Sequence, residues 1–375
     1  MTVHNDVLDQ LNQLIPLQDK LYATHQSVTD LFPFIARIAI AIYDPETSVL
    51  KTYLHSSGED NPLDHYSALI EDAPSLKQIL KTGLPRVINN MLTFEGEESV
   101  HSKRLGRHGY AASYTMPMFN NGVFFGFIFF NSKETDVFDE KTLRQLDTYG
   151  HLISLMVINE ITSIQVLSAA LKTTGSFTHL RDPETGSHLD RMSRYSRLIA
   201  ESIADQYELD DDYIEHIFMF SPLHDIGKIG IPDEILLKPD RLDAGETEVM
   251  HGHADLGKRM VDQILANFGL DNIEHVDMLR NIAEFHHESV NGRGYPNALA
   301  GEQIPLEARI VAVADVFDAL TSARSYKKAW SNEDAIAELE KLAGEKLDRD
   351  CVNALIQNMV EVEKIQQRFS EDYYG

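Results

Sequence analysis

The chain has 375 residues, with 33 lysine and arginine residues against 59 aspartate and glutamate residues and a formal net charge of −26 at pH 7. This length predicts two domains at about 100–200 residues each, and a composition of 43% hydrophobic and 25% charged residues excludes a disordered or collagen-like chain. The acidic excess also argues against DNA as a partner, because phosphate contacts need clustered lysine and arginine.

A single cysteine, Cys351, excludes an intramolecular disulfide framework and a multi-cysteine zinc or iron–sulfur site. The longest apolar run, Val123–Phe130, is far shorter than the ~20 residues of a transmembrane helix. The N-terminus lacks the basic and apolar regions of a signal peptide. We therefore expect a cytoplasmic protein with no membrane segment.

The first part of the chain alternates helical and strand patterns. Two hairpins are predicted, one at Asp44–Thr47 and one at Asn120–Gly122, because Asn-Gly between two β-rich runs is a strong hairpin signal. The predicted order is helix, two strands, helix, strand, helix, two strands and a long helix. The bounded elements are a helix over Asp6–Leu31, strands over Ile35–Tyr43 and Val49–His55, a helix over Ser75–Leu80, strands over Arg86–Ile88, Ala111–Phe119 and Val123–Asn131, and a helix over Asp139–Leu171.

This order resembles a GAF sensor domain, an antiparallel sheet with helices, over about residues 25–160. The resemblance implies a small-molecule ligand or dimer contacts, and the residues leave that ligand unknown. Without a nearby cysteine there is no anchor for a bilin, and the histidines of this part have no metal-ligand spacing. The apolar stripe of the closing helix favours a connecting helix and a homodimer formed through it. The histidines that we interpret as surface or hydrogen-bonded residues are His55, His65, His101 and His108.

From Ser168 onward the patterns are almost wholly helical. The predicted helices cover Met192–Tyr207, Asp212–Pro222, Gly245–Phe268, Asp277–Phe285, Ala308–Ala323 and Glu333–Leu342. Five motifs rich in histidine and carboxylate punctuate them. They are Glu184–His188, the run HDIGKIGIPDEIL from His224, His253 with Gly257, the run HHESVNGRGYP from His286, and the run ADVFDALTSARSYK from Ala314.

Imidazole and carboxylate groups without thiolates are typical ligands of zinc, iron, manganese and nickel. Asp225 has two carboxylate oxygens and can bridge two ions, and the adjacent His286 and His287 can reach neighbouring ions. Eight candidate ligands exceed the need of one ion that also keeps a water, which indicates two ions or three. The candidates are Glu184, His188, His224, Asp225, His253, His286, His287 and Asp315.

Two metal ions ~3.5–4 Å apart activate a water and stabilise the oxygens of an in-line phosphoryl displacement, so the predicted reaction is phosphodiester hydrolysis. A lone histidine is more often structural than a ligand. For that reason we interpret His216, His251 and His275 as structural residues.

The three long motifs, in this order and spacing, resemble those of an HD-GYP phosphodiesterase domain over about residues 170–345, a branch of the HD metal-dependent hydrolase superfamily. The resemblance implies hydrolysis of cyclic di-GMP to pGpG and onward to GMP at two or three ions, with iron or manganese favoured. It implies a core of His188, His224, Asp225 and Asp315 with Asp225 bridging, further ligands at His253, His286 and His287, and Glu184 at a third metal.

The same resemblance implies roles for residues that are not ligands. Lys228 would face the scissile phosphate, Arg324 and Lys327 would hold the substrate phosphate, and Tyr295 would pack near a guanine or its sugar. For Tyr295 a loop anchor or core residue is an equal alternative. Asp318 would orient a ligand histidine, with a surface salt bridge as the alternative.

The predicted protein is therefore multidomain: an α/β GAF-like sensor over residues 1–155, a linker helix over 156–172 and an all-α HD-GYP phosphodiesterase domain over 173–375. Two departures from the family pattern, Asn291 for the usual Asp and Ser325 for the usual Pro, leave room for cyclic GMP-AMP as substrate. A cyclic-dinucleotide-binding effector with little hydrolysis and a hydrolase of linear nucleotides are the remaining alternatives.

Overall fold

A computed structural model of the chain describes residues 6–57, 66–91, 106–179, 186–268, 275–322 and 329–370, with the backbone alone at 165, 167–179 and 186. The chain divides into two compact units, Met1–Thr162 and Ser163–Gly375. None of the described helices combines the length and apolar character needed to cross a membrane.

The first unit is a six-stranded antiparallel sheet with helices, as the sequence predicts. Its elements are α1 (Leu17–Leu31), β1 (Ile35–Asp44), β2 (Val49–Ser56), β3 (Ser67–Leu69), α2 (Pro74–Thr82), β4 (Arg86–Ile88), β5 (Ala112–Asn120) and β6 (Val123–Ser132). The strands lie in the order β3-β2-β1-β6-β5-β4. The two predicted hairpins are therefore the pairs β1–β2 and β5–β6. Strand β1 of the first hairpin pairs with β6 of the second at the middle of the sheet.

The beginning of the first predicted helix is wrong. Residues Asp9–Asn12 form a separate 3-10 turn, and α1 begins at Leu17, directly after Pro16. A proline has no N–H to donate to a preceding turn and is tolerated mainly at a helix start, so Pro16 separates the two pieces. The sequence also missed the short strand β3. The unbounded helix expected between β4 and β5 falls largely on residues 92–105, which lie outside the described residues.

One long helix, α3 (Glu140–His179), contains the boundary between the two units. Its first half packs on the first unit: Asp147 accepts a hydrogen bond from Tyr114, and Tyr149 lies 3.1 Å from the hydroxyl oxygen of Ser27. Its buried residues recur at helical spacing, as an amphipathic helix requires. They are Leu146, Ile153, Val157, Ile161 and Ile164.

The second unit is helical throughout its described residues and has no strand longer than an isolated bridge there, which confirms the predicted class. Its helices are α4 (Gly186–Tyr207), α5 (Asp211–Phe220), α6 (Asp233–Leu236), α7 (Ala244–His251), α8 (His253–Phe268), α9 (Val276–Phe285), α10 (Leu306–Thr321), α11 (Asn332–Leu342), α12 (Arg349–Gln357) and α13 (Met359–Arg368). The prediction of one helix over Gly245–Phe268 is wrong. The helix is interrupted at Gly252, a residue of low helix propensity, and forms α7 and α8.

The motif residues lie at the ends and on the facing sides of packed helices. Two 3-10 turns, Ser221–Leu223 and Ile226–Gly230, follow α5 and flank His224 and Asp225. Helix α8 packs against the second turn and against α9, and α10 packs against α4 and α9. Residues that are far apart in sequence are thereby brought to one place.

Candidate metal centre

Two groups of imidazole and carboxylate side chains form in the second unit. Within each group, one ligand-type atom of every residue lies within 4.8 Å of the others. Glu184, the eighth predicted ligand, lies outside the described residues. The first group is Asp225, His253, His286 and His287, and the second is His188, His224 and Asp315.

The carboxylate of Asp225 lies between the two groups. Its Oδ1 is 3.1 Å from Nε2 of His253 and 3.6 Å from Nε2 of His286. Its Oδ2 is 3.1 Å from Nε2 of His224 and 2.7 Å from Nζ of Lys228. Each oxygen therefore faces a different set of imidazoles, which is the arrangement that a bridging carboxylate needs.

Backbone carbonyls orient three of the imidazoles. Nδ1 of His224 and of His253 lies 3.0 and 2.7 Å from the carbonyl oxygen three residues earlier, and Nδ1 of His286 lies 2.8 Å from the carbonyl four residues earlier. An imidazole whose Nδ1–H donates to a carbonyl keeps the lone pair on Nε2. Ligand histidines of metal sites are commonly held by such outer contacts.

Three buried atoms at the centre find no hydrogen-bond partner within the described part of the chain. Asp225 Oδ1, His253 Nε2 and His286 Nε2 are buried, and none makes a hydrogen bond of acceptable geometry to another described residue. Buried polar atoms are nearly always paired with protein, water or an ion. The donor set and its inward-facing lone pairs therefore fit divalent metal ions.

The protonation states also suit metal binding. Burial lowers the pKa of His286, and burial together with the neighbouring His286 lowers that of His287 well below its ordinary value, so both rings are neutral at pH 7. Burial opposes ionisation of Asp225, but the ammonium group of Lys228 beside it outweighs burial and holds the pKa of that carboxyl well below its usual range. Neutral imidazole and ionised carboxylate are the forms that bind a metal.

A buried ion pair holds His188. Asp318 is fully buried, and its Oδ2 lies 2.8 Å from Nδ1 of His188. Arg191 donates to both oxygens of Asp318, from Nε at 2.6 Å and from Nη2 at 2.9 Å. Arg191 also donates to Ser322 and to the carbonyl of Phe369. The sequence reasoning missed Arg191, although its position one helical turn after His188 was a usable signal.

Two glycines permit the close approach of these segments. A Cβ at Gly227 would lie 1.9 Å from the carbonyl oxygen of His253, so only glycine lets the turn after Asp225 contact the start of α8. A Cβ at Gly294 would lie 2.3 Å from the backbone nitrogen of Ser289, so the loop after His287 also depends on a glycine. Both glycines belong to predicted motifs.

The loop places Tyr295 at the edge of the centre. Its ring stacks on that of His251, with centroids 3.7 Å apart and planes at 10°, and lies 4.8 Å from the ring of His287. His251, which we interpreted as a structural residue, therefore packs against the ring of Tyr295. Arg324 and Lys327 lie outside the described residues.

A third group lies apart from the predicted site in the sequence. Asp212 and His216 of α5 meet His275, which directly precedes α9, and one ligand-type atom of each lies within 4.8 Å of the others. The sequence reasoning treated both histidines separately. Because His275 lies 59 positions after His216, no local spacing connected them.

Comparison with known proteins identifies both units. Residues 17–157 match the GAF domain family and residues 183–351 match the HD domain family. A cyclic di-GMP phosphodiesterase response regulator, RpfG, from Xanthomonas campestris pv. campestris is 44% identical over 190 residues, which are 51% of this chain and 47% of that protein. A probable cyclic di-GMP phosphodiesterase from Vibrio cholerae is 39% identical over 211 residues, which are 54% of this chain and 47% of that protein.

A third relative differs in its substrate. A 3′3′-cGAMP-specific phosphodiesterase 2 from Vibrio cholerae is 38% identical over 178 residues, which are 48% of this chain and 32% of that protein. The matches thus span about half of this chain and less than half of each relative. The sequence-based recognition of a GAF domain followed by an HD domain is confirmed.

Proposed function

Because the chain matches the GAF and HD domain families, we propose that it is a phosphodiesterase of the HD-GYP kind and hydrolyses a phosphodiester bond of a cyclic dinucleotide in its second unit. The observation that carries the proposal is the carboxylate of Asp225, whose two oxygens face separate imidazoles: His253 and His286 on one side and His224 on the other. Such a site suits two ions, and a two-ion site suits phosphoryl transfer.

The metal ligands of this proposal are the eight predicted residues. Asp225 would bridge two ions, and Glu184 would hold a third ion where one binds. The donor set of imidazoles and carboxylates without thiolate favours iron or manganese over softer ions. When bound, such ions polarise phosphoryl oxygens and lower the pKa of a bound water. The residues of the proposed metal centre are Glu184, His188, His224, Asp225, His253, His286, His287 and Asp315.

The protein's own side chains prepare the site. Lys228 directs an ammonium group to Asp225 Oδ2 at 2.7 Å, with 20% of its side chain exposed, so it lies beside the ligands and remains accessible to a substrate phosphate. It stabilises negative charge on the phosphate or protonates the leaving oxygen. Asp318, held by Arg191, fixes the ring of His188. These groups are positioned before substrate arrives, which is the condition for effective electrostatic stabilisation.

Substrate contacts extend the proposal beyond the metal centre. Tyr295 stacks on His251, and in this proposal the rest of its ring contacts a guanine base or its sugar. Base stacking on an aromatic ring is a common mode of nucleotide recognition. Arg324 and Lys327 supply positive charge for the phosphate, in keeping with the usual roles of these side chains.

The preferred substrate of this proposal is cyclic di-GMP, converted to pGpG and onward to GMP. The names of two relatives support this choice, and the name of the third supports cyclic GMP-AMP as the alternative. Asn291, which precedes the glycine-rich turn to Tyr295, is a departure in the same loop as the proposed base contact. A change there can adjust the fit of one base without altering the metal ligands.

The test is product analysis on full-length protein of measured metal content, with cyclic di-GMP and cyclic GMP-AMP assayed side by side. We expect metal-dependent formation of pGpG, followed by GMP, with cyclic di-GMP turned over faster. Faster turnover of cyclic GMP-AMP would make that dinucleotide the preferred substrate and would leave the proposed reaction unchanged. Tight binding of either dinucleotide without any product would show that the protein is an effector and not an enzyme.

The first unit contributes regulation in this proposal. We retain the predicted division into sensor (1–155), linker helix (156–172) and hydrolase (173–375), with homodimer contacts along the linker helix. A small pocket of about 20 Å³ in the first unit is lined mainly by apolar side chains, with Arg37 among them. Its lining includes Ala39, Leu50, Ile70, Leu76 and Phe129.

A further inference from the structure

A second site of metal-ligand character lies on the helices that carry the proposed centre. Asp212 is in the first turn of α5, His216 is one turn later, and His275 immediately precedes α9. Asp212 and His216 are buried, while 24% of the His275 side chain is exposed. The group is thus inside the fold with one ligand at the surface, where an ion can enter.

The distances match the needs of a small divalent ion. Oδ2 of Asp212 is 3.0 Å from Nε2 of His275. Nδ1 of His216 lies 2.8 Å from the carbonyl oxygen of Asp212, so Nε2 is the atom of that ring that would bind an ion. One ligand-type atom of each of the three residues lies within 4.8 Å of the others. A tetrahedral zinc ion with bonds of about 2.0–2.2 Å holds its ligand atoms about 3.3–3.6 Å apart. The two imidazole rings are 4.7 Å apart between centroids. Small side-chain adjustments therefore suffice for one ion to bind all three residues.

The carboxylate is ionised and incompletely satisfied. Burial opposes ionisation of Asp212, but the neighbouring imidazoles of His216 and His275 outweigh burial and hold the pKa of the carboxyl below its ordinary value. Its Oδ1 is buried and makes no hydrogen bond of acceptable geometry to another described residue. A buried anionic oxygen between two imidazoles is costly without a cation.

We propose that Asp212, His216 and His275 form an additional binding site for one divalent zinc-type ion, distinct from the proposed catalytic centre. Two imidazoles and one carboxylate are a donor set that zinc takes with a water in the fourth position. The site joins α5 to the beginning of α9. Tyr213 packs its ring against His275, and Phe220 packs its ring against His216.

The length of a helix separates this site from the other centre. Helix α5 leads through Ser221–Leu223 to His224, and α9 leads directly to His286. The ten residues of α9 span about 15 Å at 1.5 Å per residue, which separates the two sites. An ion at Asp212 therefore fixes the far ends of two elements whose near ends hold catalytic ligands.

The experiment measures zinc bound per full-length chain after chelator stripping and dialysis against Zn²⁺, in an Asp225→Ala background that disables the proposed catalytic centre. Adding His275→Gln should remove one bound zinc per chain. His275→Cys in the same background should retain that zinc, because a thiolate also binds zinc. The matched control is His151→Gln, which changes an exposed histidine on α3 and should leave the zinc count unaltered.

An equal zinc count in the Asp225→Ala protein with and without His275→Gln would overturn the proposal. Circular dichroism verifies folding, and Asp212→Asn provides a second variant with the same expected loss. The visible absorption of bound Co²⁺ gives an independent readout of the same site. The zinc count needs no substrate, so its failure and a failure of the proposed hydrolysis are separate results.

Discussion

The Asp225 centre and the Asp212 site use the same ligand chemistry and lie at opposite ends of α5 and α9, but their surroundings differ. Asp225 has Lys228 at 2.7 Å and imidazoles facing each oxygen, and an accessible loop presents Tyr295 beside it. Asp212 has two imidazoles, and aromatic rings of the core pack around them. The comparison teaches that ligand atoms predict metal binding, whereas a nearby cation and an accessible aromatic surface distinguish a site that performs chemistry on an anionic substrate.

The largest effect that separates the two sites should come from Lys228→Met. Removing the ammonium group leaves the ligands in place but removes charge stabilisation, so kcat should fall by about 10²–10³-fold. Metal content should not fall, because a cation is removed from beside the ligands. Steady-state kinetics with metal analysis measures both. Lys341→Met, which changes an exposed lysine, is the control, and an unchanged kcat in Lys228→Met would remove the assigned role.

A smaller effect is expected from Asp318→Asn. The amide keeps the shape but loses the negative charge that holds His188 and Arg191, so metal affinity should decrease by about 10–100-fold. Titration of chelator-stripped protein with Mn²⁺ measures the affinity. The exposed Asp334→Asn serves as control. Wild-type affinity in Asp318→Asn would show that the buried ion pair supports the fold alone.

Tyr295→Ala tests the substrate side of the comparison. Loss of stacking should cost about 1–2 kcal/mol, which raises KM by roughly 5–30-fold, while kcat and metal content are retained. Tyr295→Phe keeps the ring and should keep KM. The alternative, that Tyr295 anchors the loop, predicts instead a lower melting temperature with an unchanged KM.

The smallest catalytic effect should come from His275→Gln in otherwise unchanged protein. This residue belongs to the Asp212 site, so kcat and KM should remain at wild-type values while one zinc ion per chain is lost. Kinetics and metal analysis of the same preparation measure both quantities. A large loss of kcat would show that the two sites do not function separately.

Much of the proposed centre could be predicted because its ligands lie in compact motifs. His224 with Asp225, and His286 with His287, are adjacent pairs, and Gly227 and Gly294 sit where backbone segments approach closely. Local spacing carries that information. In the first unit, the turns alone predicted the hairpins β1–β2 and β5–β6. The helix break at Pro16 and the short strand β3 were not predicted.

The remainder depended on tertiary packing. Nothing in the local sequence connects His216 with His275 or indicates that His251 stacks on Tyr295, because each pair is formed only when separate helices and loops pack together. Arg191 could have been noticed from its helical spacing to His188. Its carboxylate partner Asp318 comes from another helix, and its burial is a property of the fold.

The most direct test of the central claim is Asp225→Ala, assayed for bound metal and for cyclic di-GMP turnover in the same preparation. Because one carboxylate faces both groups of imidazoles, we predict that the proposed catalytic ions and the turnover are lost together. Ions retained at the Asp212 site are identified by the further loss on His275→Gln. An Asp225→Ala protein with the full wild-type metal complement would contradict the bridging role, and one with wild-type turnover would contradict the proposed catalytic centre.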